Sequence, residues 1–262
     1  MKISIITVVY NRAHCIVDCI ESVLNQTYSD IEYIVIDGNS TDGTQKKIAP
    51  YLDKISYYVS ETDNGIFDAL NKGIAESTGD VLGILNSDDL FFDQFSIERI
   101  AGAFKESGAD LVYAKGLFVD KEDLEKVKRI YPSKPFKKNL LYFGWIPLHT
   151  TIFVKREIFT KYGNYCPGYK IASDYEISLR WFKNDKIKKY FLNQWLVKMR
   201  MGGLSTSANL QLKKSREDLR IIRIYKLNGA FTLAFKIIRK IPQYIIPQIF
   251  GFKSARSVNK LY

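Results

Sequence analysis

Val81-Leu-Gly-Ile-Leu85 runs without a polar side chain into the turn Asn86-Ser-Asp-Asp89. A short apolar run closed by turn residues reads as a strand buried on both faces. Such strands belong to parallel sheets covered by helices. The same signal recurs toward the N-terminus. Residues 65–77 space Ile66, Leu70 and Ile74 four apart, which predicts a helix. Ile55 to Ser60 is a short strand, and Asp42 is placed to cap the helix before it. Ile31-Glu-Tyr-Ile-Val-Ile36 is a strand ending at Asp37-Gly38. Residues 12–26, with Asn11 as their cap, turn Ile16, Ile20, Val23 and Leu24 to one helical face, and Ile3 to Val9 is the first strand. Downstream, helix 93–107 and strand 110–115 complete the alternation. Strand–helix–strand repetition implies right-handed crossovers and an α/β fold with a mainly parallel central sheet flanked by helices.

The texture changes after residue 115. A hairpin is expected at 116–131, a strand at 150–154, and helices at 156–162 and 173–183. A helical tail should run from about 208 to 241, where Pro242 and Pro247 break it. The expected division is therefore 1–115, 116–207 and a C-terminal helical tail at 208–262. No fixed-period repeat or low-complexity segment interrupts it.

Composition narrows the classes. With 46% hydrophobic and 26% charged residues, the 262-residue chain is not a disordered one. Three cysteines, Cys15, Cys19 and Cys166, make no disulfide framework and are expected to be buried hydrophobes. Two histidines exclude a His-rich metal centre. The apolar start is too short for a signal peptide, and no apolar run is long enough to span a bilayer, so a cytoplasmic location is expected. The net charge of +11 is concentrated: residues 211–262 hold 12 Lys and Arg against 2 Asp and Glu. In the tail, Phe231, Ala234, Phe235, Ile238 and Ile241 share a helical face, with Lys236, Arg239 and Lys240 off it. A basic amphipathic helix fits the surface of an anionic membrane, the other reading being a helix packed on the body with its basic face in solvent. No nucleic-acid motif accompanies the charge, so nucleic acid is not the expected partner.

In parallel sheets ligands bind at the carboxyl ends of strands. Acidic residues gather there: Asp37, Glu61-Thr-Asp63 and Asp88-Asp89. An unpaired carboxylate against a buried strand is costly. Carboxylates without nearby His or Cys suit Mn²⁺ or Mg²⁺, ions that commonly bridge protein to a diphosphate. The first strand-to-helix turn, Tyr10-Asn-Arg-Ala-His14, lacks the glycines of a dinucleotide site, and no Walker A pattern exists.

Several motifs stand in one order: Ser4-Ile-Ile-Thr-Val-Val-Tyr-Asn11, Gln26-Thr-Tyr28, Ile36-Asp-Gly-Asn-Ser-Thr-Asp-Gly-Thr44, Glu61-Thr-Asp-Asn-Gly-Ile-Phe-Asp-Ala-Leu-Asn-Lys-Gly73, Leu85-Asn-Ser-Asp-Asp89, Pro147-Leu-His149, Ile171-Ala-Ser-Asp-Tyr-Glu176 and Met199-Arg-Met-Gly-Gly-Leu-Ser205. Over residues 1–206 the chain resembles the family 2 glycosyltransferases, inverting enzymes of the GT-A fold, and is similar to those of bacterial polysaccharide biosynthesis. The resemblance implies that Tyr10 packs on a nucleobase whose ring N–H Asp37 accepts. It implies that Asp68, Asn71 and Lys72 lie near ribose and diphosphate, with Arg200 pairing the diphosphate. Asn86-Ser87-Asp88 matches the family's D-x-D, its first acid replaced by asparagine. Asp88, with Asp89 second, is the implied metal ligand. Asp174 matches the catalytic base, although it also sits where it would cap helix 175–183. His149 and Glu176 fall on the acceptor side, where a structural role is open for both. The implied donor is a nucleoside diphosphate sugar, a UDP-sugar favoured. The implied acceptor is a glycan or a lipid-linked precursor of a surface polysaccharide. Asn86 leaves a second reading, a non-catalytic nucleotide-sugar binding module.

Overall fold

Strand β1 (Ile3–Val9) buries all seven of its residues, as a central strand with covered faces must. In the computed structural model, which describes residues 1–202, 208–249 and 254–258, β1 pairs in parallel with β2 (Ile31–Asp37) and β4 (Val81–Ile84). Strand β3 (Tyr57–Ser60) lies parallel outside β2. Helices α1 (Ile16–Leu24) and α4 (Ser96–Ser107) cover one face, with Ile16, Ile20, Ile97 and Ile100 in its core. Helix α3 (Ile66–Glu76) covers the other with Leu70 and Ile74. A short helix, α2 (Thr44–Ile48), follows β2.

The second half makes the sheet mixed. Its nine strands include the order β3-β2-β1-β4-β8-β6-β9-β5. Strand β8 (Ile152–Lys155) runs antiparallel to β4 and to β6 (Leu111–Val119). Strand β9 (Lys189–Arg200) is parallel to β6, and β5 (Leu90–Phe91) is antiparallel to β9. The expected hairpin is β6 with β7 (Val127–Tyr131). Helices α5 (Arg156–Tyr162) and α6 (Ser173–Lys183) have their expected bounds.

Three local expectations are corrected. Asn11 does not cap α1, which starts at Ile16. Asn11 takes a left-handed φ of 52°, and its Oδ1 accepts from Thr41 N–H, tying the first turn to the second. The tail is not one helix to residue 241. It breaks between α7 (Ala208–Ile224) and α8 (Gly229–Ile238), where Lys226 has a φ of 51°. Nor does the chain stop being helical at Pro242. Helix α9 (Lys240–Ile249) holds Pro242 in its first turn, where no intrahelical N–H is needed, and Pro247 within it. The break falls just upstream, at Arg239, because a proline ring collides with the carbonyl four residues before it.

The tail is docked on the second half. The 3-10 turn Lys138–Phe143 ends at Gly144, and α8 crosses it so closely that a Cβ at Gly144 would lie 2.6 Å from Lys236 Cβ. Thr232 donates its hydroxyl to the Tyr142 carbonyl, and the Arg129 guanidinium donates to Gln243. The face toward the body mixes these polar anchors with Leu233 and Ile246, which pack on the core clusters. The outer face is apolar, with Phe231, Ile237, Ile238, Ile241, Ile245 and Ile249 each 44–71% exposed. No helix among the described residues is long and apolar enough to cross a membrane.

Candidate functional site

At the carboxyl ends of β1, β2 and β3 the chain makes a small pocket wall. Tyr10 is 61% exposed just after β1. Gly38 follows β2, where a Cβ would stand 3.0 Å from Asp63 Oδ2 and 3.4 Å from the Tyr10 ring. A glycine here is what lets ring and carboxylate approach. Asp37 is fully buried behind them and accepts from the Ser40 amide and from the hydroxyls of Ser40 and Ser60. Lys72, on α3, reaches back to Asp63 at 2.6 Å and Glu61 at 2.7 Å, with Asp68 at 3.9 Å. The hydrogen bonds it donates to Asp63 and Glu61 hold its ammonium well above the usual lysine range. Asp68 also accepts from Asn64 N–H, closing the loop before α3.

The turn after β4 carries the second group. Asp89 is 1% exposed. Burial, and then the charge of Asp88, raise its proton affinity far above that of an ordinary carboxyl. Asn86 Nδ2 donates to Asp89 Oδ2 at 2.8 Å, and Arg200 N–H donates to Oδ1 at 3.2 Å. A neutral donor at position 86 therefore meets a need that an aspartate would aggravate. Arg200 itself holds Asp18 at 2.6 Å and the carbonyls of Asp88 and Lys121, pinning the turn to α1 and to the hairpin. Ser87 is buried in the same turn. Asp88 is only half-buried, and its carboxylate has no hydrogen bond or ion pair among the described residues. Burial, with Asp88 next, pushes the nearby Cys15 thiol up to about 11, so it is an inert thiol.

A third group lies on the second half. Asp174 is in the first turn of α6, where the helix dipole favours an anion, and accepts from Tyr175 N–H at 2.7 Å. It acts electrostatically on His149 and Tyr165. His149 Nε2 meets the Tyr165 hydroxyl at 2.7 Å. Burial lowers the proton affinity of His149, partly offset by Asp174, which favours a neutral ring. Asn71 clasps the Tyr165 backbone with both ends of its amide, at 2.9 and 3.0 Å, and so joins α3 to this group. Glu176 stands apart from it. Its carboxylate pairs with Arg180 and accepts from the Tyr225 hydroxyl of the tail, while Arg180 grips the carbonyls of residues 162–164.

The glycosyl transferase family 2 model matches residues 4–172. The chain belongs to that family. As a family member it is 28% identical over 216 residues to a PGL/p-HBAD biosynthesis glycosyltransferase of Mycobacterium bovis, covering 78% of this chain and 79% of that one. An uncharacterized glycosyltransferase of Rickettsia typhi is 30% identical over 212 residues, covering 78% and 65%. Among solved structures, Staphylococcus aureus TarS 1–349 in complex with UDP-GlcNAc aligns with a TM-score of 0.67 at 18% identity, over 90% of this chain and 69% of that one. A Pyrobaculum calidifontis mannosyltransferase in complex with GDP-Man and Mn²⁺ aligns at 0.64 and 14% identity, over 90% and 73%. The GT-A fold expected from the motifs is thus the fold observed, with a sheet more mixed than the first half of the chain suggests.

The family member's donor set at β4 fits a cation only in company. Among the described residues no three His, Cys, Asp or Glu side chains gather to hold a metal. One open carboxylate, Asp88, is however what Mn²⁺ or Mg²⁺ uses when substrate phosphates and water supply the other ligands. Asp63, grouped in the sequence with the strand-end carboxylates suited to a cation, instead shares the wall with Tyr10 and is held by Lys72. One residue given no role from the sequence emerges beside the predicted ones: Tyr165 links Asn71 to His149, and nothing local in the sequence marks it.

Proposed function

We propose that the protein is an inverting glycosyltransferase using a nucleoside diphosphate sugar, a UDP-sugar favoured, with Mn²⁺ or Mg²⁺. The observation that carries this reading is a pair of site carboxylates with no ion pair among the described residues, Asp88 after β4 and Asp174 at the start of α6, where Glu61 and Asp63 are held by Lys72, Asp89 by Asn86 and Glu176 by Arg180. Tyr10 and Asp63 offer a face and a polar edge to the nucleobase. Asp88 would hold the cation, which on binding with the donor neutralises charge on the leaving diphosphate. Asp174 takes the proton of the acceptor hydroxyl. That oxygen bonds to the anomeric carbon as the carbon–oxygen bond to the diphosphate breaks, and the nucleoside diphosphate departs with the electron pair. A neutral His149 beside the base adds no cation to compete for its charge.

The non-catalytic reading rested on Asn86. Its amide serves Asp89 and leaves Asp88 open, so the substitution does not empty the site. The acceptor is proposed to be a glycan or lipid-linked precursor, and the working place the cytoplasmic face of a membrane, with the apolar ridge of α8–α9 resting on an anionic surface. The residues proposed to meet lipid are the exposed isoleucines. Lys236, Arg239 and Lys240 turn toward the body instead.

The test is hydrolysis of UDP-sugars with Mn²⁺, the anomer of the released sugar being read by NMR at early times. Release of the anomer opposite to the donor's supports the reading. Retention of configuration, or no release and no transfer with any nucleotide sugar, overturns it.

A further inference from the structure

Tyr165 is 2% exposed, and its hydroxyl has one hydrogen-bond partner among the described residues, His149 Nε2 at 2.7 Å. Which atom donates follows from that. Burial, and then the charge of Asp174, hold the phenol proton more tightly than in an ordinary tyrosine, so the hydroxyl keeps it. Were Nε2 to carry a proton as well, the phenol proton would be buried with no acceptor. Such orphans are rare, because they give up a hydrogen bond to water and gain none. With the hydroxyl donating, one bond satisfies both groups. Nε2 is then the bare nitrogen of a neutral ring, and the ring proton sits on Nδ1.

Helix α3 holds Tyr165 in place for this. Asn71 accepts from its backbone N–H at 3.0 Å and donates to its carbonyl at 2.9 Å. Phe67, one turn earlier on the same helix, stacks on its ring with centroids 5.7 Å apart and planes 17° from parallel. His149 opens the 3-10 turn His149–Thr151 and is half-buried. Its Nδ1 has no hydrogen bond among the described residues, and Asp174 acts on the ring through space alone. A donor at Nδ1 and a carboxylate acceptor thus stand near one another without being bonded together.

We propose that Tyr165 is a positioning residue, fixing His149 as its Nδ1–H tautomer so that this N–H and Asp174 together hold the incoming hydroxyl. The tautomer is independent of the transfer reaction proposed above; the part played by Nδ1–H rests on it. The attacking oxygen, of a sugar or of water, gives its proton to Asp174. It accepts from Nδ1–H with one lone pair and turns the other to the anomeric carbon, whose bond to the diphosphate breaks as the new bond forms. The opposite tautomer would present a bare Nδ1 that competes with Asp174 for the same proton.

Tyr165→Phe keeps the ring, the Phe67 stack and the backbone clasp of Asn71, and removes only the hydroxyl. The chain has two histidines, so ¹⁵N-histidine protein gives two sets of ring nitrogens, which His14→Gln assigns. At pH 8, above the ordinary histidine pKa of about 6.5, wild-type His149 should show a protonated Nδ1 and a bare Nε2. Tyr165→Phe should shift it toward Nε2–H, the form that free histidine prefers. With the UDP-sugar that is hydrolysed fastest in Mn²⁺, the same variant should lose roughly three- to tenfold in kcat, as for one hydrogen bond, with KM for the donor unchanged. His149→Asn, whose amide nitrogen reaches the place of Nδ1, should keep more turnover than His149→Gln, whose nitrogen reaches the place of Nε2. A wild-type spectrum with the proton on Nε2, or one that Tyr165→Phe leaves unchanged, overturns the tautomer. Turnover by Tyr165→Phe as fast as wild type, or His149→Gln outdoing His149→Asn, overturns the role of Nδ1–H. Absence of all hydrolysis would strike the transfer reaction itself and leave the spectrum, which needs no turnover, to decide the tautomer.

Discussion

The ammonium of Lys236 lies 3.2 Å from the centroid of the Tyr175 ring. Tyr175 follows Asp174, so the tail touches the helical turn that carries the proposed base. The same ammonium pairs with Asp218 at 2.8 Å, both side chains being at most 15% exposed. Burial outweighs Asp218 and brings Lys236 down to about 8. Removing one partner of a buried pair leaves the other uncompensated, at about 3–5 kcal/mol. Lys236→Met should therefore lower the thermal midpoint markedly, and Lys236→Met with Asp218→Leu should recover much of the loss. A midpoint within a degree of wild type for the single variant would contradict the docked tail.

Asp174→Asn removes a proton acceptor and no donor contact. Transfer should fall about 10²–10⁴-fold, the range for loss of a general base. UDP affinity in Mn²⁺ should stay as it was. Weakened UDP binding with preserved turnover would move Asp174 from the acceptor hydroxyl to the donor.

Asp89 makes a prediction in pH. A carboxyl whose native proton affinity is raised lends stability fully below its unfolded pKa of about 4. That contribution is lost as pH rises through the native value. Asparagine stays neutral throughout, and the amide of Asn86 can turn over to accept from it. Without metal, Asp89→Asn should match wild type near pH 4 and exceed it increasingly toward pH 8 in thermal unfolding. A gap that is constant or shrinks with pH would mean that the buried carboxyl is ionised at little cost.

The ridge is testable separately from the chemistry. Ile238→Glu, Ile241→Glu and Ile245→Glu together should abolish sedimentation with phosphatidylglycerol vesicles. Each alters an exposed side chain, so each should shift stability by less than about 0.5 kcal/mol. Wild-type protein that stays in the supernatant at low salt, or that self-associates through the ridge in ultracentrifugation, would remove the membrane surface as its partner.

Much of the first half was legible because each element there obeys one period. Helix α3 and strands β1, β2 and β4 have a buried face or a buried run that the apolar residues write directly. Strand β9 went unread for a structural reason. Its register against β6 slips: Tyr113 pairs Phe191 while Lys115 pairs Trp195. The extra residues, Asn193 and Gln194 among them, interrupt the alternation on which strand recognition depends. The tail's period was read, but not its orientation, because its polar side chains are held by partners distant in sequence, Thr232 by Tyr142 and Gln243 by Arg129. The site divides likewise. Asp37 and Asp88 announce themselves by ending apolar strands. The occupations of Asn71, Glu176 and Arg200 are set by partners 94, 49 and 182 residues away, which no local pattern records.

Gly144 has a consequence for anyone recombining such enzymes. Its missing Cβ is the gap through which the Lys236 backbone passes, with the Thr232 carbonyl 2.7 Å from where that atom would be. A chimera that borrows a tail from a relative must borrow the 138–149 stretch with it, since a helix shaped for a bulkier residue at that crossing would stand off and leave a void against Gly144. The modular boundary for engineering therefore runs around the acceptor half and its tail as one inheritable unit, and a splice near residue 207 would cut through the middle of it.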